Sequence, residues 1–272
     1  MLDYIVWSQS PEIFTYGSFS IRWYGVLFAV GFLVGQQIMI KIYKIEGKPL
    51  ADIESLMMYI VISTVVGARL GHCLFYEPEY YLAHPLDILK VWEGGLASHG
   101  ATVAILFAVW LYSRKHPDQS YLWILDRLVI VIALAGALIR FGNLMNSEII
   151  GKPTNVSWAF IFTAVDTIPR HPAQLYESLS CILLFSFLLW VYSRYTTKLP
   201  EGRIFGLFLI ILFGLRFFYE FLKENQVEFE DGLALNMGQS LSIPLVIIGI
   251  FVLYRSFVIE LKNQKEDIIL EK

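Results

Sequence analysis

Charge is scarce in this sequence. Only 17% of its 272 residues are Asp, Glu, Lys or Arg, against about 25% in a soluble globular domain. With 56% hydrophobic residues and a mean hydropathy of +0.58, it is not an ordinary water-soluble fold. A basic surplus is missing too: the net charge is −3 and the pI about 6.0, so no overall field recruits nucleic acid. Cysteine is limited to Cys73 and Cys181, each inside an apolar run. That pair supports neither a disulfide framework nor a cysteine metal site, and both read as small buried hydrophobes. No adjacent basic group clearly activates either, although His72 neighbours Cys73. No P-loop, zinc motif, dinucleotide fingerprint or nucleophile elbow occurs. The first residues lack a basic region and a small-residue cleavage site, so no cleavable signal peptide is expected.

Long apolar runs are what the chain has in abundance. A spanning helix needs roughly 20 mainly apolar residues, and seven stretches qualify, at about 21–40, 56–76, 96–112, 122–141, 174–194, 203–221 and 241–258. They predict an all-α integral membrane protein, a seven-transmembrane-helix bundle forming a single multi-pass domain over residues 1–272. The only connection long enough for structure of its own is 142–173, expected as a small extracytoplasmic cap between helices four and five. Lys41, Lys44, Lys48, Arg114, Lys115, Arg194, Lys198, Arg203, Arg255, Lys262, Lys265 and Lys272 fall on one side of these spans. Lys90, Lys152, Arg170 and Lys223 fall on the other. The richer side faces the cytoplasm, which puts the N-terminus outside and the C-terminus in the cytoplasm.

The remaining basic residues are Arg22, Arg69, Arg127, Arg140 and Arg216. Arg127, beside Asp126 near the inner end of its helix, is explained by snorkelling. The other four lie at similar depth in the outer half of the bilayer, where charge is expensive and faces a bundle interior or a polar cavity. Guanidiniums gathered there suit a phosphate, because each offers planar bidentate donors.

Four segments bring further polar groups to that depth. In Trp92–Gly100, Gly94 and Gly95 allow a tight turn and close backbone approach, and His99 opens the third helix. An imidazole can accept a proton near neutral pH; the alternative is an interfacial turn with a hydrogen-bonded histidine. In Arg140–Glu148, Gly142 and Asn143 could form a C-cap, yet Arg140, Asn143, Asn146 and Glu148 together make a dense polar set. In Arg170–Glu177, Pro172 fits a first helical turn, Gln174, Tyr176 and Glu177 enter the apolar run, and His171 reads as orienting its neighbours. Arg216 and Glu220, four apart, share a helix face. They are either a self-neutralising pair or a guanidinium oriented with a donor edge left for ligand. Tyr24, in Arg22-Trp23-Tyr24-Gly25, is a further candidate to line this cluster.

Taken in order, these segments resemble the bacterial prolipoprotein diacylglyceryl transferase family, over about residues 14 to 258. The most specific elements are G-G-L-x-S-H-G at 94–100, R-x-G-N-x-x-N-x-E at 140–148 and R-H-P-x-Q-L-Y-E at 170–177. W-Y-G at 23–25, R-x-x-x-E-F at 216–221 and M-G-Q-x-L-S-I-P at 237–244 agree with it. The resemblance implies transfer of the diacylglyceryl group of phosphatidylglycerol to the lipobox cysteine of a prelipoprotein, forming a thioether and releasing glycerol phosphate. It implies the bacterial cytoplasmic (inner) membrane, a site towards the extracytoplasmic leaflet, and a signal peptide, phosphatidylglycerol and the bilayer as partners.

The family's arginines fall on Arg140 and Arg216, its histidine on His99, its asparagine and glutamates on Asn143, Glu148 and Glu220, and its tyrosine on Tyr24. Two positions depart from the pattern: Leu212 stands where a tyrosine is frequent, and Lys223 where arginine is frequent. The expected mechanism has Arg140 and Arg216 binding phosphate and stabilising the charge growing on it, with His99 as base for the incoming thiol. Asn143, Glu148 and Glu220 position these groups, and Tyr24, Arg69, Asn146, His171, Gln174 and Tyr176 complete the substrate-binding set. The reaction needs no metal or organic cofactor. The rival readings are a seven-helix transporter or receptor for an anion and a non-catalytic lipid-binding scaffold. The crowding of charge in one leaflet and the lack of an evident repeat disfavour a transporter.

Overall fold

The computed structural model describes residues 4–17, 19–95, 97–224 and 234–270; Leu96 and Lys272 lie outside them. The elements among the described residues are helices α1 (Trp23–Ile45), α2 (Leu50–Phe75), α3 (Pro78–Ala83), α4 (Ser98–Lys115), α5 (Tyr121–Met145), α6 (Ala173–Tyr195), α7 (Arg203–Tyr219) and α8 (Met237–Leu270). Short strands β1 (Ile5–Trp7), β2 (Glu12–Tyr16), β3 (Phe19–Arg22), β4 (Phe160–Phe162) and β5 (Pro169–Arg170) accompany them. Six helices, α1, α2, α5, α6, α7 and α8, are long and apolar enough to cross a membrane. The predicted span at 96–112 is the 18-residue α4. It begins in Ser-His-Gly and ends in Arg-Lys, so its apolar stretch is shorter than those six.

Two compact units result, Met39–Leu125 and the combination of Met1–Ile38 with Asp126–Lys272. In the first, α2 and α4 pack through bare backbone. A Cβ on Gly71 would lie 2.7 Å from the Gly100 Cα, and one on Gly100 would lie 2.6 Å from the Gly71 Cα. Gly67, one turn earlier, meets Ala101 and Ala104. Lipid tails are as apolar as leucine, so close van der Waals contact between small residues is what holds membrane helices together. Elsewhere in this unit Tyr43 Oη donates to Gln119 Oε1 at 2.8 Å and Gln119 Nε2 donates to Asp52 Oδ2 at 2.6 Å. Tyr112 Oη donates to the Asp52 carbonyl at 3.1 Å. This knot, with Tyr43, Tyr112 and Gln119 buried, ties the start of α2 to the end of α4.

In the second unit Gly31 and Gly35 of α1 face Ala135 and Val131 of α5, and Gly206 of α7 lies against Gly249 and Leu253 of α8. The buried Asp126 caps α7 from another helix: Oδ2 accepts the Gly202 N–H at 2.7 Å and Oδ1 the Phe205 N–H at 2.8 Å. Helix-start donors would otherwise lack partners in an apolar setting. Arg203 ties α7 to α8, donating to Ser256 Oγ and Glu260 Oε2, each at 2.7 Å.

The all-α expectation needs amendment outside the helices. Strand β1 pairs in parallel with β4, Ile5 opposite Phe160, and β4 pairs antiparallel with β5; β2 and β3 form a hairpin running into α1. Within residues 142–173, β4 thus has the N-terminal strand β1 and β5 as its edge partners. Residues 142–173 are not the only structured connection. Residues 77–93 carry α3 and two short 3-10 turns, because Arg69 supplies donors to the carbonyls there, as described below.

Because the Gly71 contact is with backbone, a side chain there cannot be absorbed by a rotamer change. Gly71→Val is expected to lower stability by about 1–3 kcal/mol, read as a lower thermal midpoint in detergent. Gly214→Ala, with open space around the added methyl, should leave that midpoint unchanged.

Candidate functional site

The polar segments at the ends of α5, α6, α7 and α8 within the second unit form one connected network. Helix α5 runs on through Arg140 to Met145, so Gly142 and Asn143 are inside the helix and not its C-cap. Gly142 instead makes room for a ring: a Cβ there would lie 2.9 Å from Tyr24 Cδ2. Arg140 Nη1 donates to Asn143 Oδ1 at 3.4 Å, Asn143 Nδ2 to Glu148 Oε2 at 3.1 Å, and Asn146 Nδ2 to Glu148 Oε1 at 2.8 Å. Gln174 Nε2 donates to the Glu148 carbonyl. Ser147 and Ile149 flank Glu148 with φ of 54° and 55°. For a β-branched residue that conformation stores of order 1–3 kcal/mol, and it belongs to the turn that carries the carboxylate.

From Arg140 the network continues through carboxylates. Arg140 Nε lies 2.9 Å from Glu177 Oε2, a charge contact in which the N–H is not aligned for a full hydrogen bond. The other Glu177 oxygen accepts from Lys223 Nζ at 3.1 Å, and Lys223 Nζ is 2.6 Å from Glu220 Oε1. Arg216 Nε approaches that same Glu220 oxygen only to 3.6 Å. Asn236 Nδ2 donates to Glu220 Oε2 at 3.1 Å. Asn236 and Gln239 exchange side-chain-to-backbone hydrogen bonds at 2.9 and 3.1 Å, a capping box that starts α8 beside Glu220. Gly238 makes this approach possible, since a Cβ on it would lie 2.5 Å from Glu220 Cδ. The carboxylates and the lysine are buried, whereas the Arg140 and Arg216 side chains are 24% and 39% exposed. Asn146 Oδ1, Gln174 Oε1 and Arg216 Nε are buried without a hydrogen-bond partner among the described residues. Such a set, two partly exposed guanidiniums above two buried carboxylates that share one ammonium, can bind an anion.

Backbone pairing holds the pieces in register. Lys223 bridges Gly151, Pro153 bridges Arg170, and Lys152 N donates to the Leu222 carbonyl at 2.8 Å. Arg170 binds Asp166 Oδ2 through Nε and Nη2, at 2.9 and 2.6 Å, and Glu224 Oε1 through Nη1 at 2.7 Å. Its guanidinium thus braces residues 151–171 against the chain leaving α7. Beside this lies an open groove of about 390 Å³ lined by Trp158, His171, Tyr176, Leu179, Ser180, Tyr219 and Leu222. Trp158 Nε1 donates to Tyr176 Oη at 2.8 Å, which frees the Tyr176 hydroxyl proton for His171 Nδ1 at 3.2 Å. Burial pushes the His171 pKa below its ordinary value. A neutral, hydrogen-bonded imidazole fits the orienting role read from the sequence.

Two predicted site residues, Arg69 and His99, belong to the Met39–Leu125 unit. Arg69 is buried, and its donors go to carbonyls: Nε to Ile88 at 3.0 Å, Nη1 to Gly94 at 2.6 Å and Nη2 to Asp87 at 2.6 Å. Its guanidinium also lies over the Tyr81 ring. It organises the 87–95 loop, in which Gly94 and Gly95 take φ of 90° and 65°. Gly95 packs on the His72 ring, as close backbone approach predicts. His99 stands exposed in the first turn of α4, edge-on to the Phe75 ring and beside Tyr76.

The family model described as prolipoprotein diacylglyceryl transferase matches residues 11–255. The chain belongs to the prolipoprotein diacylglyceryl transferase family. Among relatives named phosphatidylglycerol–prolipoprotein diacylglyceryl transferase, that of Chloroherpeton thalassium is 52% identical over 93% of this chain and 95% of its own. The protein of Tolumonas auensis is 50% identical over 93% and 97%, and that of Bacteroides fragilis 45% identical over 92% and 94%.

Within this family frame, the central residues of the network are Glu177 and Lys223, which the sequence reading left outside the site. Glu177 was visible as the last residue of R-H-P-x-Q-L-Y-E, one turn inside an apolar helix. Lys223 was counted among the outer-side cations and marked only as standing where the family frequently has arginine; its burial, which accompanies the bridge to Gly151, has no local sequence signal.

The Arg170 guanidinium holds Asp166 below its ordinary carboxylate range. A depressed carboxylate pKa contributes stability above its unfolded value of ~3.9 and loses it as pH falls through the folded value. Hydrogen exchange of residues 150–171 should therefore accelerate on acidification below about pH 4. In Arg170→Met the exchange should already be faster at neutral pH and lose that acid step.

Proposed function

We infer that the protein transfers the diacylglyceryl group of phosphatidylglycerol to the lipobox cysteine of prelipoproteins in the bacterial cytoplasmic membrane. One observation carries this reading: in a chain half identical to enzymes so named, Arg140 and Arg216 are partly exposed above buried Glu177, Glu220 and Lys223. The phosphodiester is bound by these two guanidiniums, which stabilise the negative charge that accumulates as the carbon–oxygen bond breaks. The thiol proton passes to His99, the sulfur attacks the glycerol carbon next to the phosphate, a thioether forms, and glycerol phosphate leaves. Tyr24, Asn143, Asn146, Glu148, His171, Gln174, Tyr176 and Glu220 position the head group and the arginines. Arg69 serves by holding the loop that leads into His99. The chemistry requires no metal and no organic cofactor, because the nucleophile arrives on the substrate.

In this reading α4 is the third of seven spans, the N-terminus lies outside and the C-terminus in the cytoplasm. Residues 142–173 cover the extracytoplasmic side. The uneven distribution of Lys and Arg supports this orientation. The alternation of site residues between helix ends, Arg140 late in α5, Glu177 early in α6, Arg216 late in α7 and Gln239 early in α8, supports their lying on one common side.

The test is transfer of labelled diacylglyceryl from phosphatidylglycerol to a lipobox peptide by purified protein. Wild type should label the peptide only when its cysteine is present. Arg140→Ala and Arg216→Ala should each reduce kcat/KM by about 10²–10³-fold, the usual effect of removing one charge-stabilising donor. Binding of lipid and peptide without transfer would establish the scaffold reading, and anion accumulation in sealed vesicles the transporter reading. His99→Gln with near-wild-type activity would remove the base assignment and leave the phosphate site standing.

A further inference from the structure

We propose that Lys223 keeps Arg140 and Arg216 available to the lipid phosphate by drawing their carboxylate partners onto itself. An arginine and a glutamate four residues apart on a helix readily close into a self-contained pair. Arg216 and Glu220 do not: their nearest contact is 3.6 Å, while Lys223 Nζ holds the same Glu220 oxygen at 2.6 Å. On the other side Lys223 holds one Glu177 oxygen at 3.1 Å and leaves the second for Arg140 Nε. Each carboxylate is thus shared: Arg216 stands 3.6 Å from Glu220, and Arg140 meets Glu177 through Nε alone at 2.9 Å, which leaves its terminal nitrogens outside that pair.

Burial and backbone fix this arrangement. Lys223 is 1% exposed, whereas both guanidiniums reach the surface of the network. Its backbone bridges Gly151, and the flanking Leu222 and Glu224 bond to Lys152 and Ile150, so the ammonium is held by strand-like pairing and not by a frayed helix end. The count of charge matters equally. Glu177 and Glu220 are buried and share Lys223, while Glu148 is exposed; loss of the lysine leaves the two buried carboxylates without their shared cation where an anionic head group must bind. Lys223 is a positioning residue: it acts through Glu177 and Glu220 and makes no contact with substrate. Arginine has the donors to serve the same two carboxylates, so Lys223→Arg is the conservative variant.

This inference rests on the reading that Arg140 and Arg216 bind the phosphate. The experiment measures KM for phosphatidylglycerol in mixed micelles, and kcat with a lipobox peptide, for purified full-length variants whose thermal midpoints are recorded alongside. Lys223→Met should raise KM about tenfold with a smaller change in kcat, the signature of lost binding, and Lys223→Arg should stay near wild type. The double variant Lys223→Met/Glu177→Gln, which restores charge balance, should recover most of the lost KM. Were Lys223→Met too unstable to assay, a folded double variant of near-wild-type KM would still support the proposal. An unchanged KM in Lys223→Met overturns it. So does a double variant as impaired as, or worse than, the single one. If Arg140→Ala itself keeps wild-type KM and kcat, the phosphate-site reading fails first. If Arg140→Ala is inactive while Lys223→Met behaves as wild type, only the present proposal falls.

Discussion

A carboxylate buried at membrane depth must be neutralised by something within reach, because few waters are there to do it. Glu177 and Glu220 meet that demand by sharing a single ammonium, and the rest of the second unit is arranged so that they can. The α6 helix brings one carboxylate at its start, α7 brings the other at its end, and the turn that follows returns Lys223 between them. The α8 capping box closes the far side, with Asn236 taking the last Glu220 oxygen. Each arginine is then oriented by a carboxylate whose charge is already partly spent. That is a different device from a row of bare cations, which would attract anions but would also repel one another.

Glycine does comparable work for the helices. Gly100 of the His99 segment and Gly142 of the Arg140 segment look like loop or cap glycines in sequence. One is a contact point between helix backbones and the other a seat for the Tyr24 ring. Catalytic-looking motifs in this chain thus contain residues whose duty is packing, and the polar residues beside them inherit a fixed position from that packing. Arg69 carries the same lesson in reverse: a buried guanidinium in a spanning-length helix spends its donors on three loop carbonyls.

The helical, membrane-spanning character was legible because apolar runs of spanning length need no tertiary context to be recognised. The pairing of Asn143 and Asn146 with Glu148 was also within reach, since all three lie in one turn and its sequel. What the sequence hid is whatever depends on long-range pairing. Strand β1 is three residues long and its partner lies beyond five helices, so no local periodicity announces it. Lys223 is a loop lysine until Gly151 is placed beside it. Whether Arg216 and Glu220 neutralise one another was undecidable from their spacing, because the answer sits in a third residue.

The parallel pairing of Ile5 with Phe160 has a consequence for how the chain is made. The first strand emerges from the ribosome long before its partner, and α1 to α5 must be synthesised before the sheet exists. The Lys223 bridge to Gly151 waits still longer, for α6 and α7. Contacts of such high sequence separation form late. The charged groups of α5 and α6 therefore enter the bilayer before their final counter-ion, and assembly of this network is a closing event in biogenesis. A nascent chain halted before residue 223 would hold the helices up to α7 and lack both α8 and the ammonium of the network.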